Sequence, residues 1–384
     1  MKIDQVLLTQ IRNYLDEMMY ALVDLRMSFE LGPSPTGFPR FQQLQQIIHR
    51  LDPAHQVLFR LFRLGEAVDG TSVRNSIPEK VLESMLAVGI LQKLGNGELR
   101  TPSLLIVPVD GLLLFVGIPQ SYPTATQPCN TWFDLSSYVV ARALPGSLAK
   151  QRVLDVCSGS GLQSLFCAAR GATSVVGLEL NQEAVSTAQA NAILNGLEQN
   201  VEFRQSDKLA ALRNDEIFDF IVCNTPYAPV INGSRAPSTL EEIGNSVLLE
   251  ILPGLVSHLS QNGHGILASW RAIGSQTSTY QMEFVAAKLE NAGCSTFTFI
   301  DQAPDNAESV LRILQTDLEQ RARMQPFQAA EMTRGVKDLL QNSAHKMDGF
   351  YNQLIYFRKG KLASANAQRA VCGLAAPVRV GVAS

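Results

Sequence analysis

The sequence predicts an α/β fold, a doubly wound sheet of seven strands preceded by a separate helical region. Two observations carry this. From Arg152 onward, short apolar runs alternate with helix-periodic stretches, the pattern of strands wound through helices into a mostly parallel sheet. Before that point, helix-periodic segments lead into short strand-like runs with a Gly-Asn-Gly turn. At 384 residues the chain is long enough to hold both parts as domains.

Residues 1–31 form the first segment. Apolar side chains at Ile3, Leu7, Ile11, Leu15, Met18, Leu22 and Leu25 recur at steps of three and four, one stripe of a single amphipathic helix, and "GPSPTGFP" at 32–39 ends it. Such a stripe packs against the chain's own body or a second subunit, as in a homodimer. The sharper alternative is a lid over an active site. Residues 40–118 follow as a domain, with helices near 41–50, 54–64 and 78–90 and then a hairpin. Three helices and a hairpin make the outline of a winged helix. Domains of that outline often bind DNA, but acids here nearly balance the basic residues and leave no basic face. A structural or substrate-capping role is expected.

Residues 119–360 carry the sheet. Strands are predicted at 152–157, 174–179, 200–205, 217–223, 264–270, 295–301 and 350–358, with helices near 161–170, 181–195, 239–261 and 279–293. The stretch 303–348 is too long for a simple connection and contains two apolar-periodic segments, which predicts an inserted helical pair. Residues 361–384, rich in Ala, Val and Gly without periodicity, read as a flexible tail.

Charge and composition narrow the classes of function. A net charge of −3 gives no electrostatic reason to bind nucleic acid or an anionic membrane. No uncharged run approaches the ~20 residues that span a bilayer, and acids through the first apolar stretch are unlike a signal peptide. The six cysteines form no C-x-x-C pair and read as reduced residues of a cytoplasmic protein. The five histidines lack metal-ligand spacing, so no metal site is expected.

Chemistry gathers at the predicted strand ends. "RVLDVCSGSGLQSLF" (152–166) is a buried strand, a glycine turn and a helix start. Gly159 and Gly161 let a ligand approach the backbone, and Asp155 stands just before the turn. A nicotinamide loop is the first rival, but Ser164 occupies the place of the third glycine of G-x-G-x-x-G. Glu179 closes the next strand, where a carboxylate can accept both hydroxyls of a ribose, and Asp207 follows the third, where it can receive an exocyclic amine. Three acids at consecutive strand ends point to a ligand along the carboxyl edge. The fourth strand, in "FDFIVCNTPYAP" (218–229), halts at Asn224, Thr225, Pro226 and Tyr227. That is either a turn that stops a strand or a clamp for an amine.

In this order and spacing, "VLDVCSGSG", "VVGLELN", "VEFRQSD" and "FDFIVCNTPY" resemble the S-adenosylmethionine (SAM) motifs of the Rossmann-like class I methyltransferases. They are most similar to the subgroup whose fourth strand ends in N-P-P-Y, which includes release-factor glutamine methyltransferases and N-methyltransferases of exocyclic base amines. The resemblance covers about Val116–Asp301. It implies SAM as cofactor, with Gly159 and Gly161 at its methionine part, Asp155 nearby through water, and Cys157 in the same loop. It further implies Glu179 on the ribose, Asp207 at the adenine amine, and Asn224 and Tyr227 at the reacting group. Two positions depart from the family. Cys157 stands where the loop's first glycine is usual, and Thr225 replaces the first proline of N-P-P-Y.

The implied reaction is methylation of nitrogen in a small molecule or a protein side-chain amide or amine. In-line displacement needs the nucleophile held ~3 Å from the methyl carbon. The Asn224 side-chain oxygen and the Thr225 carbonyl can orient an amine, Pro226 stiffens the turn, and Tyr227 offers a flat face. Softer substrate candidates are Tyr122, Thr126, Trp132 and Asp134 before the first strand, and Arg235, Glu241 and Asn245 beyond the turn. Two other readings stay open. One is a SAM-consuming cyclase or lyase like the azetidine-2-carboxylate synthases, releasing methylthioadenosine. The other is a non-enzymatic, SAM-sensing DNA-binding protein.

Overall fold

A computed structural model of the protein describes residues 1–31, 41–119, 122–126, 131, 133, 135–226, 245–273, 284–300 and 349–360. The predicted insertion at 303–348 and tail at 361–384 lie outside the described residues. The chain opens with helices α1 (Gln5–Glu17), α2 (Tyr20–Leu31), α3 (Phe41–Ile47, followed by a 3-10 turn), α4 (Pro53–Phe62), α5 (Gly70–Ser76) and α6 (Glu79–Val88). Strands β1 (Gln92–Lys93), β2 (Leu99–Arg100), β3 (Leu104–Val109) and β4 (Leu112–Gly117) come next, then α7 (Leu135–Ala143). The alternating part runs β5 (Arg152–Val156), α8 (Leu162–Ala169), β6 (Ser174–Glu179), α9 (Gln182–Leu194), β7 (Val201–Gln205) and β8 (Phe218–Asn224). It continues with α10 (Ser246–Ser257), β9 (Leu259–Ile273), α11 (Phe284–Asn291), β10 (Cys294–Ile300) and β11 (Gly349–Lys359).

Seven strands form one sheet in the order β10-β11-β9-β8-β5-β6-β7. The pairs β5–β8, β8–β9 and β6–β7 are parallel, and β11 runs antiparallel to both β9 and β10. Strand order reverses at β5 and β8, and in open α/β sheets ligands bind outside the carboxyl ends of strands at such a switch point. β5 and β8 are largely apolar because both faces of an inner parallel strand are covered: Val153, Leu154, Val156, Phe220, Ile221, Val222 and Cys223 are all buried.

The chain divides into two compact units. The first comprises Met1–Ala141, Ser158–Ala169 and Ser174–Ser206, the second Arg142–Cys157, Arg170–Thr173 and Asp207 onward. One core runs through the first unit, joining Leu8, Ile11 and Leu15 of α1 to Phe59 and Phe62 of α4, Met85 of α6, Phe115 of β4 and Leu194 of α9. Asp4 caps α1 by accepting from the Leu7 N–H, and Asp52 caps α4 by accepting from the N–H groups of Ala54 and His55.

The single helix expected over the first 31 residues is two. The break falls at Met18–Met19, where Met19 turns left-handed with φ +50°. Beyond it α2 buries Tyr20, Asp24 and Met27, while Leu22 and Leu25 of the expected stripe lie exposed. Two distant contacts select that face. The Tyr20 hydroxyl donates to the Ile106 carbonyl at 3.0 Å, and Asp24 pairs with Arg63 at 2.5 Å in the interior. Two further departures are α5, a polar stretch made helical by Asp69 accepting from the Ser72 N–H at 2.8 Å, and β9, which starts at Leu259 inside the expected helix. Among the described residues no helix is long and apolar enough to cross a membrane.

Candidate active site

The glycine turn belongs to the first unit. Its Ser158 N–H donates to the Leu178 carbonyl at 2.9 Å, and the Gly161 N–H closes the turn on the Ser158 carbonyl at 2.8 Å. The two glycines serve different ends. A Cβ on Gly161, at φ +84°, would come within 2.6 Å of the Phe203 ring, so its absence permits close packing of turn on strand. A Cβ on Gly159, at φ +54°, would meet nothing within 4 Å, so this residue faces open space.

Glu179, half-buried at the end of β6, is tied to that turn. One carboxylate oxygen accepts from the Gly159 N–H at 2.9 Å, the other from the Asn181 N–H at 3.0 Å. A carboxylate offers about four acceptor positions, so each oxygen keeps one for a ligand hydroxyl. Asn181 in turn caps α9 by accepting from the N–H groups of Glu183 and Ala184. The Ser158 hydroxyl is buried without a hydrogen-bond partner, a polar group suited to a ligand. Tyr122 is buried instead, 5.1 Å edge-on from the Phe41 ring, and burial raises its phenol's pKa against the opposing charge of Arg63. Thr126 is exposed, its hydroxyl donating to the Pro102 carbonyl at 3.5 Å.

The second unit holds the ends of β5 and β8 side by side, Val156 opposite Cys223. Asp155 is buried on β5. Cys157 takes φ +63°, a left-handed conformation that favours glycine and costs a side-chain-bearing residue roughly 1–3 kcal/mol. The Cys223 thiol is pushed well above its ordinary value by burial, then by its hydrogen bond to Cys157 and the charges of Cys157 and Asp155. Asn224 ends β8 half-buried, opposite Ala268 of β9. Thr225 is 2% exposed, and its hydroxyl is buried with no partner. Pro226 is exposed. Asp207 lies on the surface, its carboxylate 3.4 Å from the Lys208 ammonium. Asn245 is buried at the start of α10. Trp132, Asp134, Tyr227, Arg235 and Glu241 lie outside the described residues.

Comparison with known proteins bears on this arrangement. Residues 128–281 match the family described as methyltransferase small domain. A putative protein N5-glutamine methyltransferase of Methanocaldococcus jannaschii is 32% identical over 48% of this chain and 90% of its own length. The chain belongs to the class I SAM-dependent methyltransferases. Other relatives match over shorter stretches. A ribosomal protein L11 methyltransferase of Lactobacillus johnsonii is 32% identical over 33% of this chain, which spans only 34% of that protein's length. A release factor glutamine methyltransferase of Fusobacterium nucleatum is 41% identical over 20% of this chain and 21% of its own.

The cofactor of a methyltransferase of this family is SAM, and the residues present fit it. Gly159 leaves space where a side chain would stand, Glu179 has unused acceptor positions, and the Ser158 hydroxyl has no protein partner. Two structural residues have no counterpart in the sequence motifs, Asn191 of α9 and Asn195, which caps that helix. Asn191 is fully buried and donates to the Ser160 carbonyl in the glycine turn at 2.9 Å. The signal of Asn191 was visible: an asparagine inside an alanine-rich helix, where it gains nothing unless its amide has partners.

Proposed function

We propose that this protein transfers the methyl group of SAM to a nitrogen of a protein side chain, with a glutamine-type amide the best match. The end of β8 carries this reading. Asn224 stands at the carboxyl edge, and Thr225 follows it with a buried, unpartnered hydroxyl. SAM supplies an electrophilic methyl group on a sulfonium. The chain's own task is to present nitrogen to it. The Asn224 side-chain oxygen and Thr225 carbonyl orient the two N–H bonds of an amide, and Pro226 contributes no competing N–H. The Thr225 hydroxyl adds one hydrogen bond beyond those a proline at that position would allow, Tyr227 supplies a flat face, and Glu179, Gly159 and Gly161 hold the cofactor with Asp155, Cys157 and Asp207. Names of relatives support a protein substrate: N5-glutamine, release factor and ribosomal protein L11 methyltransferases.

Residues 40–118 then act as a winged-helix-like capping module. Helices α4, α5 and α6, the β1–β2 hairpin and the bridge between Val68 and Leu99 support that outline. The cytoplasm is the compartment that suits such substrates and the reduced thiols of Cys157, Cys167, Cys223 and Cys294.

The test supplies methyl-labelled SAM with a desalted protein extract. Label is expected in acid-precipitated protein, resistant to nuclease, with S-adenosylhomocysteine as by-product. Unlabelled protein in that extract, with label appearing in small molecules once the undesalted extract is supplied, would overturn the protein substrate. Methylthioadenosine formed without an acceptor would overturn transfer itself and favour cyclisation.

A further inference from the structure

Asn191 of α9 and Asn195, the residue that caps its C-terminus, lie four residues apart on one side. Opposite them runs β4, whose inner edge pairs with β3 and whose outer edge would otherwise leave peptide groups unmet. The Asn191 side-chain oxygen accepts from the Phe115 N–H at 2.7 Å, and its amide nitrogen donates to the Phe115 carbonyl at 3.0 Å. Asn195 repeats the pattern on Leu113, accepting at 2.9 Å and donating at 2.7 Å. The match is geometric. Four helical residues rise about 6.0 Å and two strand residues about 6.8 Å, so amides at i and i+4 meet alternate peptides of a strand. The two side chains take the place of a neighbouring strand.

Their remaining bonds differ. Asn195 receives the Arg12 guanidinium at 2.8 Å and donates back to the Asn191 carbonyl at 2.8 Å, both away from the glycine turn. Asn191 donates its other hydrogen to the Ser160 carbonyl at 2.9 Å, between the two left-handed glycines. It is fully buried, so water cannot replace that bond.

We infer that Asn191 is a positioning residue for the cofactor: it fixes the peptide between Gly159 and Gly161 and ties it to the β3–β4 hairpin, so that the hairpin's placement sets the turn that receives SAM. The inference rests on the glycine turn being the SAM loop. Asn195 provides the control, because its replacement removes the equivalent pair of strand contacts, on Leu113 instead of Phe115, and no bond to the turn.

The experiment compares Asn191→Ala and Asn195→Ala in the full chain. Calorimetry reads SAM affinity, thermal melting reads stability, and hydrogen exchange reads the amides of residues 158–162 without ligand. Both variants are expected to lower Tm. Asn191→Ala alone should weaken SAM binding by about tenfold or more and speed exchange in the turn, whereas Asn195→Ala should stay within about twofold of the wild type for both readouts. Equal effects of the two variants on affinity and exchange, or none from Asn191→Ala, would overturn the assignment. Should Asn191→Ala fail to fold, Asn191→Gln keeps the amide but displaces it, and the same comparison applies. If the wild type binds no SAM, the functional reading falls, and exchange in the ligand-free turn still decides the role of Asn191.

Discussion

Replacing Glu179 by alanine separates cofactor binding from folding. In the protein its two oxygens accept from the N–H groups of Gly159 and Asn181, at 2.9 and 3.0 Å. Hydrogen bonds to a charged group contribute about 1.5–3 kcal/mol each when buried. Glu179 is half-buried, so water reaches the freed N–H groups, and the net loss of stability should be about 1–2 kcal/mol. Two ribose hydroxyls on the spare acceptor positions would lose about 2–3 kcal/mol of binding, or about 30- to 150-fold in Kd. Calorimetric titration with SAM and a urea melt measure the two terms. A second ligand sharpens the test. A SAM analogue lacking both ribose hydroxyls should bind the wild type more weakly, yet bind wild type and variant with nearly equal affinity. Wild-type SAM affinity in Glu179→Ala, or a full penalty that persists with the dideoxy ligand, would refute the ribose assignment.

Asn224→Ala should leave SAM affinity near normal and lower turnover by about 100-fold or more, the cost of a lost orienting contact; steady-state rates beside calorimetry check it, and unchanged turnover would remove the clamp. Asp207→Ala should change SAM affinity by less than about threefold, because the exposed carboxylate already competes with water and Lys208. Asp24→Asn, which leaves the Arg63 guanidinium buried without its partner, should cost about 3–5 kcal/mol in a urea melt. Replacing both residues by Leu and Met should restore most of that. Burial, then the Arg358 charge, holds the His264 imidazole below its ordinary value of 6.5, so the folded protein binds fewer protons than the unfolded chain. Stability is therefore full above pH 6.5 and falls as pH drops toward the folded value, and His264→Gln should flatten that limb of a Tm-against-pH curve.

How much of this was legible in the sequence follows from where each cause lies along the chain. The strands β5 and β8 could be read because burial on both faces writes itself locally as a largely apolar run, interrupted only by Asp155 in one and Asp219 in the other. The glycine turn could be read because φ above zero demands glycine at the residue itself. The break at Met19 could not, because Tyr20 and Asp24 decide it through partners 86 and 39 residues away. Nor could the burial of Tyr122, whose ring packs against that of Phe41, far away in the chain. Asn191 lies between these cases: its oddity is local, but its partner Phe115 is 76 residues away.

Glu179 and Asp207 show why a sequence signature ranks site residues poorly even when it finds them. Both are acids at the carboxyl end of a parallel strand, and the spacing weighs them alike. Their surroundings do not. Glu179 is gripped by two backbone N–H groups, one from the very turn beside which a ligand would lie, so its orientation is set before anything binds. A group held in place loses little entropy on binding, and partial burial spares its remaining acceptor positions from competition with water. The Asp207 carboxylate is 66% exposed and shares the reach of Lys208, whose ammonium is also paired with Glu250 at 2.8 Å. Any hydrogen bond it gives a ligand is exchanged against one from solvent. Cofactor affinity should therefore rest on the first acid far more than on the second.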